Sequence, residues 1–240
     1  MQKKYVPKRL FYFSLLLNVL LAAAIGFALH RLGGWRYAIL RLQHQTAGLY
    51  HHRAQHFERL DEQNGSIIFL GDSQMAQAEW HEMFGDQPVV LNRGISGDFI
   101  NGVQERLGEI LRHRPLKIFL LIGVNDLIFG NEPAEIEAAY RQTVQKIRTE
   151  SPDTELFLLP VLPVNNELRR SGTNNNAIDA LNTRIRQIAR DFALPFIDIA
   201  TPLKDADGRL AAKFSEDGLH LNGLGYVVWK KEIEAMIKPE

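Results

Sequence analysis

One serine in this chain stands where a nucleophile could be presented to a substrate. Ser73 follows the apolar run 66–70 and the pair Gly71 and Asp72, a pattern typical of a buried strand that ends in a turn. In open α/β sheets, ligands bind at the edge formed by the carboxyl ends of the strands. A serine hydroxyl is a weak nucleophile on its own, so ester chemistry there requires a base, a group that orients the base, and donors for the oxyanion.

The C-terminal segment supplies a base and an orienting group. His220 is the candidate base, because an imidazole titrates near neutral pH. Asp217 lies three residues before it, so one turn could hold both side chains, with the carboxylate fixing the imidazole tautomer. Taken singly, each motif also has an ordinary explanation, since Gly-Asp-Ser and Asp-Gly are common turn sequences and a lone histidine is often a surface residue.

Two further segments of the same kind lie between the serine and the histidine. Residues 92–97 (NRGISG) follow the apolar run 88–91, and residues 123–126 (GVND) follow the apolar run 117–122. Together with the serine and histidine segments, in this order, they resemble the blocks of the SGNH hydrolases, also called the GDSL esterase/lipase family. The resemblance covers residues 66–237, and its spacing is most similar to the branch of the platelet-activating-factor acetylhydrolase catalytic subunits.

The resemblance implies a fold and a set of catalytic groups. The fold is a three-layer α/β/α arrangement around a five-stranded parallel, flavodoxin-like sheet of order 2-1-3-4-5. The catalytic triad is Ser73, His220 and Asp217. The oxyanion hole consists of the backbone N–H groups of Ser73 and Gly94 together with the side-chain amide of Asn125. Gly94 suits this role because a residue without a side chain lets its N–H approach an oxyanion closely.

Six positions are candidate substrate contacts: Gln74, Arg93, Phe99, Phe129, Arg169 and Arg170. The family often has leucine where this chain has Gln74, and we expect that change to affect packing or substrate choice, not competence. Phe99 and Phe129 follow two of the oxyanion segments and could line an acyl pocket, or pack in the core. The long polar loop 163–176 is expected to rim the site, where its two arginines meet a phosphate or a sugar acid or remain solvated.

Near-continuous apolar segments alternate with helical patterns along the rest of the chain, which predicts a parallel sheet covered on both faces. The predicted strands are 66–70, 89–91, 117–122, 155–160 and 195–199. The predicted helices are 74–84, 99–112, 133–149, 175–192 and 223–237. Pro115 and Pro152 precede two of the strands and end the helices before them.

The N-terminal segment predicts attachment to a membrane. Residues 10–29 carry no charge, and a helix of that length spans about 30 Å, enough for the core of a bilayer. We therefore expect a cytoplasmic stub with a transmembrane anchor (1–32), a helical stalk (33–64) and a catalytic domain (65–240). The basic residues before the span place the N-terminus in the cytoplasm and the catalytic domain outside, periplasmic or extracellular. A cleaved signal peptide and a buried core helix are the alternatives.

The composition excludes several function classes. The chain has no cysteine, which excludes disulfides, thiolate metal sites and a cysteine nucleophile. Its formal net charge is zero, and no basic stripe points to nucleic-acid binding. His52 and His56 have a spacing that could share a metal, but no further ligand completes the set, so we predict neither a metal nor a cofactor. The sequence does not decide the oligomeric state.

These observations lead to one hypothesis and three alternatives. The hypothesis is a membrane-anchored serine esterase that removes a short, acetyl-like acyl group from a cell-envelope sugar or lipid through an acyl-enzyme. The alternatives are a lysophospholipase or thioesterase that prefers long acyl chains, an SGNH-type O-acyltransferase, and a membrane-tethered scaffold without catalysis. Profiling the acyl chain length, adding acceptor sugars and labelling the serine would separate them.

Overall fold

The computed structural model describes residues 8–31, 48–85 and 87–237. Contacts between Cα atoms divide the chain into two units, Met1–Gly48 and Leu49–Glu240. The sheet and every candidate site residue belong to the second unit.

The first unit is described through helix α1 (Lys8–Arg31), which covers the predicted membrane span. Within the residues that the structure describes, no helix combines the length and the apolar character that crossing a membrane requires. This finding contradicts the predicted single-pass location, with its cytoplasmic N-terminus and its external catalytic domain. Residues 1–7 of the predicted stub and 33–47 of the predicted stalk lie outside the described residues.

Four parallel strands form the sheet: β1 (Ile67–Gly71), β2 (Val90–Gly94), β3 (Lys117–Leu121) and β4 (Glu155–Leu158). Their order is β2-β1-β3-β4, as predicted for the first four strands. Gly71 at the end of β1 pairs with Gly94 of β2 and with Leu121 of β3, so three carboxyl ends meet at one edge. A Cβ atom at position 71 would lie 1.9 Å from the Leu121 carbonyl oxygen, so this pairing requires glycine.

The predicted fifth strand (195–199) is wrong in extent. Only Phe196 forms a parallel bridge, to Leu158 of β4, next to a hydrogen bond from the Leu158 N–H to the Pro195 carbonyl oxygen (3.0 Å). Pro195 has no N–H to continue the ladder. The side chain of Asp198 accepts the backbone N–H groups two and three residues later, which closes a turn there. Within the part of the chain that the structure describes, the sheet therefore has four strands where the sequence predicted five.

Helices cover both faces of the sheet. The helices after α1 are α2 (48–59), α3 (Ser73–Ala76), α4 (Trp80–Phe84), α5 (Ile100–Glu105), α6 (Leu107–Leu111), α7 (Val124–Ile128), α8 (Pro133–Glu150), α9 (Asn175–Asp191) and α10 (Gly223–Ile237), with 3-10 turns at Thr201–Leu203 and Ala212–Phe214. The predicted helices over 133–149, 175–192 and 223–237 are confirmed to within one residue. Those over 74–84 and 99–112 each break into two short helices, and α7 has no counterpart in the prediction.

Side chains alternate along the strands and build one core on each face of the sheet. Ile68 and Leu70 of β1 pack with α5, α6, α8 and α9 in one hydrophobic cluster. Ile67 and Phe69 pack with α4 and α10 in the other, where the rings of Phe69 and Trp80 stack with centroids 4.0 Å apart. The second unit is therefore a three-layer α/β/α structure, as predicted.

Helix α2 is held to the rest of the second unit by its buried residue Phe57. The ring of Phe57 meets the guanidinium groups of Arg53 (4.7 Å) and Arg93 (4.6 Å). A guanidinium nitrogen of Arg112, next to α6, donates to the Phe57 carbonyl oxygen (3.0 Å). This part of the predicted stalk is therefore packed against the sheet and its helices.

Candidate active site

Ser73 is presented at the carboxyl end of β1 by a sharp turn from strand to helix. Helix α3 begins at Ser73 itself, and the side chain of Asp72 caps the helix by accepting the N–H of Gln74 (2.9 Å). The strand before this turn is fully buried, which fixes the backbone that leads into it. Ser73 is 7% exposed, so only a small part of it is open to a substrate.

His220 and Asp217 reach Ser73 from the far end of the chain. The Nε2 atom of His220 lies 3.0 Å from Ser73 Oγ, and its Nδ1 atom lies 2.7 Å from Asp217 Oδ2. Burial raises the pKa of Asp217, but hydrogen bonds from His220 and Leu219 outweigh burial and hold the pKa at about 2. The ionised carboxylate accepts the Nδ1 proton, which leaves the Nε2 lone pair free to accept the serine proton.

The Asp217 loop (215–220) is fixed from within and from outside. One carboxylate oxygen of Asp217 accepts the backbone N–H groups two and three residues later (3.0 and 2.8 Å). Gly218 has a φ of 74°, and a Cβ atom there would lie 2.2 Å from the Asn165 carbonyl oxygen, so the position requires glycine. The Asn165 N–H donates to the Gly218 carbonyl oxygen (2.7 Å), which joins the polar loop 163–176 to the Asp217 loop.

The three predicted oxyanion donors lie at the carboxyl ends of adjacent strands, but they differ in whether another acceptor already uses their N–H groups. The Ser73 N–H lies in the first turn of α3, where no intrahelical acceptor exists. The Gly94 N–H donates to the Asn92 side chain (2.9 Å), so it can serve a substrate only when that bond is shared or replaced. The Asn125 amide donates one N–H to the Asp98 carbonyl oxygen (2.9 Å) and has a second N–H to offer.

Asn92 is a site residue that the sequence analysis did not single out. Its side-chain oxygen accepts the Gly94 N–H, and its Nδ2 atom donates to the carbonyl oxygens of Ala76 (3.3 Å) and Ala78 (2.9 Å). It thereby couples the end of β2 to the end of α3. The one sequence signal for it was its position inside the matched segment 92–97.

A buried acidic cluster lies at the same sheet edge and consists of Asp72, Asp98 and Asp126 with Arg106. Arg106 pairs with Asp98 (2.8 Å) and donates to the Gly71 carbonyl oxygen (3.1 Å). Burial raises the pKa of Asp72 to about 7, and the carboxylates of Asp98 and Asp126 contribute to the rise. Burial also raises the pKa of Asp98 to about 6, against the opposing effect of Arg106. No spacing rule connects these residues in the sequence.

Two of the predicted substrate contacts are enclosed by protein. Gln74 is 2% exposed and donates to the Leu219 carbonyl oxygen (2.5 Å). Arg93 is 3% exposed and forms an ion pair with Glu109 (3.0 Å), with His113 Nε2 also 3.1 Å from its guanidinium group. Because these side chains do not reach solvent, the structure does not support a substrate contact at either position.

Of the other four predicted contacts, three are exposed and Phe99 is half-buried. Phe99 and Phe129 meet edge to face, with ring centroids 5.2 Å apart, and Phe129 is 72% exposed, so it is not a core residue. Arg169 and Arg170 are exposed on the loop 163–176. Their roles in binding the acyl group or a substrate anion stay predictions.

Two grooves lie near the site. One, of about 510 Å³, is lined by Leu49, Arg53, Ala76, Glu79, Asn92, Gly94, Ile95 and Ser96. Arg53 comes from α2, which precedes the matched segments, so the sequence could not connect it with the site. The other groove, of about 410 Å³, is largely apolar and is lined by residues that include Ala78, Met83, Leu221, Tyr226 and Val227.

A model of the GDSL-like lipase/acylhydrolase family matches residues 65–228, more than half of the chain. The chain belongs to this family. The match begins just before β1 and ends within α10, so it includes the sheet, Ser73 and His220. The prediction of an SGNH hydrolase is confirmed, and the protein is a carboxylic ester hydrolase.

Two of three similar proteins have names that belong to the predicted branch of the family, and the third is a cytidylyltransferase. Platelet-activating factor acetylhydrolase IB subunit alpha2 from Gallus gallus is 26% identical over 183 residues, which cover 71% of this chain and 75% of that protein. N-acylneuraminate cytidylyltransferase from Escherichia coli O18:K1:H7 (strain RS218 / NMEC) is 34% identical over 122 residues, which cover 50% of this chain but 28% of that protein. A solved structure described as a platelet activating factor from Streptococcus pneumonia has a TM-score of 0.76 at 27% identity, covering 84% of this chain and 98% of that one.

Proposed function

We propose that the protein hydrolyses esters of short, acetyl-like acyl groups, with Ser73 as nucleophile, His220 as base and Asp217 as the group that orients the base. The observation that carries the proposal is the pair of contacts from Ser73 Oγ to His220 Nε2 (3.0 Å) and from His220 Nδ1 to Asp217 Oδ2 (2.7 Å). Both are hydrogen-bond distances, so the first proton transfer needs no rearrangement of the chain.

The reaction has two halves. In the first, Ser73 Oγ attacks the ester carbonyl carbon while His220 Nε2 takes the serine proton, and N–H donors at the strand ends, among them Asn125, bind the oxyanion. The imidazolium then protonates the leaving alcohol, the ester C–O bond breaks, and the acyl-enzyme remains. In the second half, His220 takes a proton from water, the hydroxide adds to the acyl carbon, and the proton returns to Ser73 as the carboxylic acid leaves.

The name of one relative supports a small acyl group, and a groove with polar side chains supports a polar alcohol. The relative from Gallus gallus is named an acetylhydrolase, which supports an acetyl group. The groove beside Gly94 includes Arg53, Glu79 and Ser96, whose side chains can hydrogen-bond the hydroxyls of a sugar or the headgroup of a lipid. We therefore propose an acetylated sugar or lipid as the substrate.

Hydrolysis of p-nitrophenyl esters from acetyl to palmitoyl by the full-length chain tests the proposal. We expect turnover of the acetyl and butyryl esters, and a fall to the background rate in Ser73→Ala. Ser151→Ala is the matched control, because that hydroxyl bonds Thr154 (2.8 Å) just before β4, at the amino ends of the strands. Unchanged turnover in Ser73→Ala would refute the assignment, as would a wild-type protein that neither hydrolyses these esters nor reacts with a fluorophosphonate.

A preference for long acyl chains is the second candidate, and the apolar groove favours it. This groove begins at Leu221, the residue after His220, and continues along Met83 and Val227. The long acyl chain of a lysophospholipid or thioester substrate could bind in this groove. The same ester series decides between the two candidates, because this groove predicts a kcat/KM that rises from butyryl to palmitoyl, whereas an acetylesterase predicts a fall.

A further inference from the structure

Gln74 connects the helix that presents the nucleophile with the loop that carries the base. It directly follows Ser73, and its Nε2 atom donates to the carbonyl oxygen of Leu219 (2.5 Å), the residue directly before His220. The backbone carbonyl oxygen of Gln74 accepts a hydrogen bond from the hydroxyl of Tyr226 in α10 (2.8 Å). One residue therefore ties together α3, α10 and the Asp217 loop.

The peptide group between Leu219 and His220 is held at both of its polar ends. Gln74 donates to its carbonyl oxygen, and Asp217 Oδ1 accepts its N–H (2.8 Å). The imidazole of His220 is attached directly to this peptide group, so the orientation of the group sets the direction of the ring. The second carboxylate oxygen of Asp217 fixes the ring through Nδ1 (2.7 Å).

The side chain of Gln74 contributes more to the position of the Leu219–His220 peptide group than to the stability of the fold. Because a carbonyl oxygen can only accept, the bond to Leu219 requires the Nε2 end of the amide, and the Oε1 atom is left buried with no partner among the described residues. A buried polar atom without a partner is unfavourable, so an apolar side chain of the same size would keep most of the packing energy. What an apolar side chain would lose is the directional bond to the Leu219 carbonyl.

We propose that Gln74 is a positioning residue for His220: its side-chain amide fixes the peptide group at Leu219 and His220 so that Nε2 stays within hydrogen-bond distance of Ser73 Oγ. The proposal rests on the proposed function for the part that His220 plays in turnover. At 2% exposed, Gln74 does not contact the substrate and acts through the loop alone.

The test compares full-length wild type with Gln74→Met, which has a similar length and shape and no donor. We expect kcat for p-nitrophenyl acetate to fall roughly 10- to 100-fold, because small displacements of a catalytic group have effects of this size, while KM stays within about twofold. The low-field proton signal of the His220 Nδ1–H bond to Asp217 should broaden or move, and the melting temperature should change little. Gln142→Met is the matched control, since that residue is exposed and, among the described residues, its side-chain oxygen accepts one long bond, from Gln104 (3.4 Å).

Each outcome decides for or against the proposal. A wild-type kcat and an unchanged His220 signal in Gln74→Met would overturn it, and so would a rise in KM alone, which indicates a substrate contact. Loss of the fold in both Gln74→Met and Gln74→Leu would overturn it too, because the residue would then be structural. If the wild type hydrolyses no ester, the proposed function fails, and the His220 signal still decides: present in wild type and altered in Gln74→Met supports positioning, and any other pattern contradicts it.

Discussion

Replacing Asp72 with asparagine should change how the stability of this protein depends on pH. Asp72 is fully buried, caps α3 through the N–H of Gln74 and has one carboxylate oxygen without a partner among the described residues. Arg106, the cation of the acidic cluster, is bonded to Asp98 and to a backbone carbonyl instead. The asparagine side chain keeps the oxygen that caps the helix and removes the charge.

The direction and size of the change in the free energy of unfolding follow from the raised pKa of Asp72. Burial and the nearby carboxylates of Asp98 and Asp126 raise this pKa from an ordinary 3.8 to about 7. Between these pH values the folded state holds a proton that the unfolded state has released, so the free energy of unfolding falls as the pH rises. The full effect is about 4 kcal/mol at pH 8 relative to pH 4, as an upper limit. Asp98 and Asp126 also have raised pKa values and contribute in the same direction, so removing the Asp72 charge removes part of the total decline.

Urea unfolding at several pH values between 4 and 8.5 measures this difference. We expect Asp72→Asn to match wild type or to be slightly less stable near pH 4, and to be more stable above pH 7, by up to about 4 kcal/mol. Asp153→Asn is the control, because this exposed residue lies before β4, away from the acidic cluster. Stability curves of wild type and Asp72→Asn that stay parallel across this range would refute the reasoning.

Two further predictions concern the oxyanion segments. Asn125→Ala should lower kcat roughly 10²- to 10³-fold with little change in KM, since it removes one oxyanion donor. Unchanged turnover of p-nitrophenyl acetate would show that Asn125 is not an oxyanion donor. Gly94→Ala should destabilise the fold by at least about 2 kcal/mol and reduce turnover, because its Cβ would lie 2.2 Å from the backbone nitrogen of Ala76 in the helix that presents Ser73. Gly108→Ala, whose Cβ meets nothing within 4 Å, should leave urea unfolding unchanged or slightly stabilised, and a similar loss in both variants would contradict the clash.

The elements that the sequence predicted well carry strong local signals. Helix α8 begins at Pro133 with a capping box between Glu132 and Glu135, and its apolar residues recur at helical spacing, so its bounds could be predicted closely. The fifth strand lacked comparable support, since an apolar run alone did not reveal that Pro195 and the turn at Asp198 limit pairing to one bridge. The breaks within the predicted helices near the site depend on tertiary contacts and have no local signal.

The same contrast holds for the site. Ser73, Asp217 and His220 could be predicted to meet because each stands in a recognisable segment and the order of the segments implies the fold. The bond from Gln74 to Leu219 joins residues 145 apart in the sequence, and no pattern reveals which way a buried amide points. Asp98 and Arg106 stand on either side of α5, 8 residues apart, and no spacing rule predicts that their side chains pair.

The proton on Asp72 links the stability of the fold to the proposed chemistry. The tetrahedral intermediate carries a negative charge, and an ionised Asp72 would place a second negative charge one residue before Ser73. The cluster already contains two other carboxyl groups, Asp98 and Asp126, and one cation, Arg106. Such a charge opposes the oxyanion donors, so the loss of the Asp72 proton should weaken catalysis in the same pH range in which it weakens folding. We therefore expect kcat/KM for p-nitrophenyl acetate to decline above about pH 7 in wild type and to hold its plateau to higher pH in Asp72→Asn. If both proteins gave the same profile, the field of this cluster would not reach the reacting carbonyl, and its role would be confined to stability.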